Sequence, residues 1–167
     1  MIVVSDSTPL ISLMKAARLD TLYELFGEVL IPEAVFHEVT TNDNFPEEAE
    51  QIRNSAFIKV VSVGDMKSVI LLQRATGLDR GESEAIIYAD VNNADLLLMD
   101  EASGRRVARN MGLEIMGSVG VIVNAFREGY LTASDVEEAF DRMRKANRHI
   151  SERLIQDALD IVHGKIP

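Results

Sequence analysis

The chain has 167 residues, no cysteine and a formal net charge of −10. Without cysteine there are no disulfides and no thiolate metal sites, and so acidic a total excludes a general nucleic-acid coat while leaving room for an enzyme that meets nucleic acid through metal ions and a local basic patch. A hydrophobic share of 47% and a charged share of 26% fit a globular protein with a full core; no apolar run approaches the roughly 20 residues of a membrane span, and no export signal is visible, so a cytoplasmic protein is expected.

The first thirteen residues, M-I-V-V-S-D-S-T-P-L-I-S-L, read as strand, acid, helix. Ile2, Val3 and Val4 form a β-branched run without alternation, as in a strand buried on both faces. Asp6 follows it, and a helix with Leu10, Leu13, Met14 and Ala17 at helical spacing is expected over residues 9–17, capped by Ser7 or Thr8. Residues 19–26 continue as a short helix stopped by Gly27, residues 29–31 as a second strand, and P-E-A-V-F-H-E-V as a helix with Glu38 at its far end. Glu47, Glu48 and Glu50 read as the solvated start of the next helix. A third strand at 57–61 and a helix at 65–76 follow.

In G-L-D-R-G-E-S-E-A-I-I-Y-A, Asp79 and Glu82 have capping-box spacing ahead of a helix apolar around much of its girth. Leu96, Leu97, Leu98 and Met99 make a fourth buried strand ending in Asp100 and Glu101. A helix over 104–111, a short strand over 113–116 and a helix over 119–127 complete the alternation. In the last forty residues Ser134 and Glu137 are expected to box the start of an amphipathic helix with Val136, Ala139, Phe140 and Met143 inward, and Ile150, Leu154, Ala158 and Val162 to form the stripe of a final one. Strands alternating with helices predict a three-layer α/β/α sandwich around a parallel sheet of four to five strands.

Two strands of this sheet end in aspartate, so Asp6 and Asp100 share the edge at which parallel sheets bind ligands. Glu38 and one of Glu82 or Glu84 can reach that edge from helices. Glu82 and Glu84 lie about 200° apart on a helix, so both cannot aim at one point, and each stays open as the fourth acid. Carboxylates about 4 Å apart repel by ~4 kcal/mol at an effective dielectric near 20, so such a group holds its charge only around a cation. An all-oxygen set, with only three histidines in the chain, suits Mg²⁺ or Mn²⁺, whose waters can attack a phosphate. Against this stand plainer readings: Asp6 and Asp100 as helix caps, Glu38 as an exposed ion-pair partner, Glu82 as part of a capping box.

The stretches V-S-D-S-T-P-L-I, I-P-E-A-V-F-H-E-V, R-G-E-S-E-A-I, L-L-L-M-D-E and M-G-S-V-G-V-I together resemble the PIN domain, in particular its VapC-like prokaryotic branch. The likeness runs in order over residues 1–130, with 131–167 resembling that branch's two-helix C-terminal extension. It implies a metal-dependent endoribonuclease that hydrolyses RNA with a metal-activated water. The family's acids fall on Asp6, Glu38, Glu82 or Glu84, and Asp100, and Ser7 and Thr8 match its hydroxyl positions beside the first aspartate; Glu101, adjoining Asp100, and Ser118 are read as further supporting residues. It further implies an RNA substrate, a homodimer and, for members that are toxins, an antitoxin partner. For RNA contact, Arg105, Arg106 and Arg109 follow Asp100 on one helix, and Arg142, Arg144, Lys145 and Arg148 form a second basic cluster. A haloacid-dehalogenase-like phosphatase would want a second aspartate where Thr8 stands. The remaining alternative is a non-catalytic regulatory or partner-binding module on the same fold, which would bind no metal.

Overall fold

The computed structural model describes residues 1–167. Its centre is a five-stranded sheet in the order β3-β2-β1-β4-β5, formed by β1 (Val3–Ser5), β2 (Val29–Pro32), β3 (Ile58–Val61), β4 (Leu96–Leu98) and β5 (Ile115–Met116). Every neighbouring pair is parallel, with Val4 level with both Leu30 and Leu97 and Ser5 level with Leu98. The chain winds from β1 outward to β3, then returns to the other side of β1 for β4 and β5. The order therefore reverses between β1 and β4, which is where open parallel sheets bind ligands.

Ten helices cover the sheet: α1 (Ser7–Lys15), α2 (Thr21–Phe26), α3 (Glu33–Thr41), α4 (Pro46–Asn54), α5 (Met66–Thr76), α6 (Arg80–Val91), α7 (Ala102–Asn110), α8 (Ser118–Arg127), α9 (Ala133–Lys145) and α10 (Glu152–Val162). Alternation along β1 and β4 divides the core. Val3, Leu96 and Leu98 join the larger apolar cluster with α1, α2, α3, α8, α9 and α10. Val4, Leu97 and Met99 join a second cluster with α6 and α7. The unalternating runs of the sequence are thus strands buried on both faces, and the expected α/β/α sandwich with a parallel sheet is the architecture observed. No helix is long and apolar enough to cross a membrane.

Several details differ from the sequence reading. Helix α1 begins at Ser7 and α7 at Ala102, each two residues early, so both leave the sheet directly after their strand-end acids. The box at the start of α9 is made by Thr132 and Asp135, two residues earlier than Ser134 and Glu137; Glu137 instead meets His163. On α10 the inward stripe is Ile155, Ala158 and Val162, so Ala158 and Val162 are buried as expected while Ile155 takes the place of Leu154, which is left 49% exposed. Glu48 is buried and paired with Lys15 rather than solvated.

Candidate active site

The end of β1 delivers Asp6 into the reversal between β1 and β4, its backbone N–H donating to the Leu98 carbonyl at 3.0 Å. Its side chain is only 2% exposed, and Oδ1 has no hydrogen-bond partner. Burial pushes the Asp6 carboxyl well above the usual carboxylate range, helped by the charges of Glu38, Asp79 and Glu82 and opposed by a backbone bond from Ser7. The acids predicted to meet Asp6 from helices are therefore Glu38 on α3 and Glu82 on α6. Both are raised too, again chiefly by burial; the Ser7 hydroxyl draws Glu38 back down, and the Asp79 backbone does the same for Glu82.

Glu84 is not among them. Its Oε2 accepts from the Ala34 N–H at 3.0 Å at the start of α3, and its Oε1 from Arg80 Nε at 2.8 Å. It ties α6 to the N-terminus of α3, where a helix favours an anion, and of the two alternatives only Glu82 faces the cluster. Glu82 also completes the capping box: its Oε2 accepts from the Asp79 N–H, and its Oε1 is buried and unpartnered. The capping and acidic-cluster readings of Glu82 are thus compatible, one oxygen to each.

By its spacing Asp79 is a cap alone. It does cap α6, accepting from the Glu82 N–H at 2.8 Å, but its charge also raises Asp6, Glu38 and Glu82. Its one signal in the sequence was its place three residues before Glu82; the approach of α3 that sets Glu38 beside it is a tertiary event.

Asp100 stands at the end of β4, on the same edge as Asp6. It caps neither its own strand's helix nor a free end: Oδ1 accepts from the Ser118 N–H at 2.7 Å, and the Ser118 hydroxyl lies 2.9 Å from Oδ2, so Asp100 sits at the N-terminus of α8. Burial raises its carboxyl, against the Ser118 bonds and the charges of Arg105 and Arg148. Ser118 is fully buried. Glu101 is exposed, and its charge bears on Glu38 and Glu82. Thr8 lines a cavity of about 640 Å³ together with Glu38, Asp100 and Glu101.

The basic residues separate. Arg105 is half-buried, donates to the Met99 carbonyl at 2.7 Å and lies beside Asp100, so it braces the strand end. Arg109 is exposed and shares a hollow of about 540 Å³ with Arg105 and Asp100; Arg106 is exposed and lines neither cavity. In the C-terminal cluster Arg142 pairs with Glu138, Arg144 with Glu152 and Lys145 with Asp141. Those three form a solvated, self-neutralised face, and Arg148 alone turns toward the acids.

A family model described as PIN domain matches residues 2–163. The chain belongs to the PIN-domain family. No curated protein matches it significantly. PIN domains are generally nucleases and typically use divalent metal ions, and this one has the family's nuclease-type fold with acids at the sheet edge.

Whether those acids suit such an ion can be judged from their chemistry. No three acidic or histidine side chains meet at one point as a finished ligand set. The donors are nonetheless all oxygen, as a hard cation prefers, and Asp6 Oδ1 and Glu82 Oε1 are buried carboxylate oxygens with no proton donor. An unpaired buried carboxylate is costly unless neutralised or given a cation. The PIN domain's residues therefore fit the ion in kind.

Proposed function

We propose that this PIN domain is a metal-dependent endoribonuclease, with Mg²⁺ or Mn²⁺ held by Asp6, Glu38, Glu82 and Asp100. The observation that carries the reading is the pair of buried, unpartnered carboxylate oxygens on Asp6 and Glu82, at the sheet-order reversal of a fold whose members are generally nucleases. When bound, a divalent cation supplies Lewis acidity toward a phosphodiester and lowers the pKa of water. The chain's own groups do the rest. Asp6 and Glu82 present fixed oxygens on rigid element ends, so little rearrangement is needed on loading. The Ser7 hydroxyl favours the charged form of Glu38. Ser118 fixes both oxygens of Asp100, and Arg105 braces the carbonyl preceding it. No side chain need act as nucleophile, since water attacks phosphorus and the ribose oxygen leaves. Within this reading the protein serves as the toxin of a toxin–antitoxin pair, its expression arresting growth unless Asp6 is replaced.

The test is RNA cleavage during Mg²⁺ and Mn²⁺ titration, with metal binding followed by calorimetry, for the parent, Asp6→Asn and Asp100→Asn. Removing one ligand charge is expected to lower both metal affinity and cleavage at least tenfold while the far-UV spectrum persists. A folded parent that binds neither ion and cleaves no RNA would overturn the proposal in favour of a non-catalytic, partner-binding module.

A further inference from the structure

Arg148 lies in the link between α9 and α10, the last member of the C-terminal basic cluster. The link is held in place by the Arg148 N–H bond to the Met143 carbonyl and by Asn147 in the left-handed region, φ 53°. From there the side chain runs inward. Nε donates to the buried Ser12 hydroxyl at 3.0 Å, and Nη2 reaches the Thr8 carbonyl at 3.5 Å. Two of a guanidinium's five N–H donors are so used.

No carboxylate lies within ion-pair distance of Arg148, although Asp100, Glu48 and Glu101 act on it from further off. Its neighbours in the link's basic cluster all have acidic partners, Arg142 and Lys145 on α9 itself and Arg144 across the link on α10. Arg148 is thus a half-buried, oriented cation with donors to spare. It lines the 640 Å³ cavity that Glu38, Asp100 and Glu101 also line, with His149 beside it. A phosphodiester entering that cavity meets exposed acid at Glu101 as well as the proposed metal ligands, and a fixed cation on the cavity wall offsets that repulsion. The planar guanidinium fork matches a phosphate's paired oxygens, and anchoring through Ser12 removes much of the entropy lost on contact.

We propose that Arg148 takes a non-bridging phosphate oxygen of the RNA strand lying in this cavity, and so places the scissile region against the acids. This inference rests on the nuclease reading and adds a substrate-positioning role for the C-terminal helices.

The test compares steady-state RNA cleavage and thermal unfolding for the parent, Arg148→Gln and Arg148→Lys over a range of salt. Arg148→Gln is expected to raise KM about tenfold, equivalent to the loss of one charge-assisted contact. It should also make the fall of log(kcat/KM) with log salt shallower by about 0.7, as for one phosphate contact on a single strand. Lysine should rescue part of the KM, because it keeps the charge but not the fork. A residue that merely straps the link to α1 would lower the unfolding temperature and leave the salt dependence unchanged. An Arg148→Gln protein with the parent's KM and salt slope overturns the inference while leaving the nuclease reading intact. A parent that cleaves no RNA overturns both. Should Arg148→Gln fail to fold, Arg148→Met takes its place, and the parent's KM and salt slope in that variant overturn it equally.

Discussion

At the scale of single residues the site is defined by carboxyl groups held above their ordinary range. Asp6, Glu38, Glu82 and Asp100 are all raised, with burial the leading cause in each. A carboxyl whose folded pKa exceeds its unfolded value of about 4 binds protons more readily in the native state. Its stabilising contribution is complete below the unfolded value and is lost as pH rises through the folded one. The metal-free protein is therefore expected to melt at a higher temperature near about pH 5 than at pH 7. Asp6→Asn should flatten that profile and raise the melting temperature of the metal-free protein at pH 7, while Mg²⁺ at pH 7 should restore stability to the parent alone. Differential scanning calorimetry with chelator across this range is the measurement; parent stability that increases with pH would contradict it. The lowered carboxyls of Asp65, Asp135 and Asp141 work in the other direction, losing their contribution as pH falls through their folded values, but Asp65 and Asp141 are exposed and Asp135 partly so, and solvent screens them.

At the scale of elements the acids depend on close backbone approach. Three glycines lie against them. A Cβ on Gly81 of α6 would sit 2.9 Å from Glu38 Oε2, one on Gly117 2.8 Å from Asp100 Oδ1, and one on Gly104 of α7 3.0 Å from Glu82 Oε1 and 2.5 Å from Met99 Sδ. These glycines are in the sequence, but nothing along the chain says what approaches them. Gly104→Ala has no backbone strain to overcome, so its effect is overpacking: α7 must move from α6, or Glu82 and Met99 must shift. A loss of about 1–3 kcal/mol is expected by urea unfolding, together with weaker metal binding through Glu82. Stability and metal affinity equal to the parent's would show that the two helices give way freely.

At the scale of the whole molecule the C-terminal helices are part of the core. Phe140 and Met143 on α9 and Ile155 on α10 are among the largest fully buried side chains and join the cluster that contains Val3, Leu98 and α8. The division at residue 130 is consequently a boundary of resemblance, and our proposal is that residues 131–167 fold only as part of one unit with 1–130. Phe140→Ala is expected to cost about 3–5 kcal/mol, and truncation after residue 131 to leave the remainder unfolded by circular dichroism. A truncated chain with the parent's cooperative melt would instead make the extension an accessory. The same packing brings Arg148 from the end of α9 to the acid cavity, 136 positions along the chain from the Ser12 hydroxyl it grips.

The sequence by itself determined the layered α/β fold. Apolar runs without alternation require a sheet covered on both faces, and helices between strands force parallel pairing. It also determined that Asp6 and Asp100 share an edge, because every strand of a parallel sheet points the same way. Only the tertiary structure decided what each acid faces. Glu82 and Glu84 are equivalent along the chain until α3 arrives and its N-terminus claims Glu84. Asp79 is a cap by spacing and a member of the acidic cluster by the packing of α3 on α6. Arg105 and Arg148 both read as members of basic clusters for RNA contact; only the tertiary structure buries one against the Met99 carbonyl and the other against the Ser12 hydroxyl. Local spacing records the turn-by-turn preferences of the backbone, whereas partners from distant elements are set by how helices pack across the sheet.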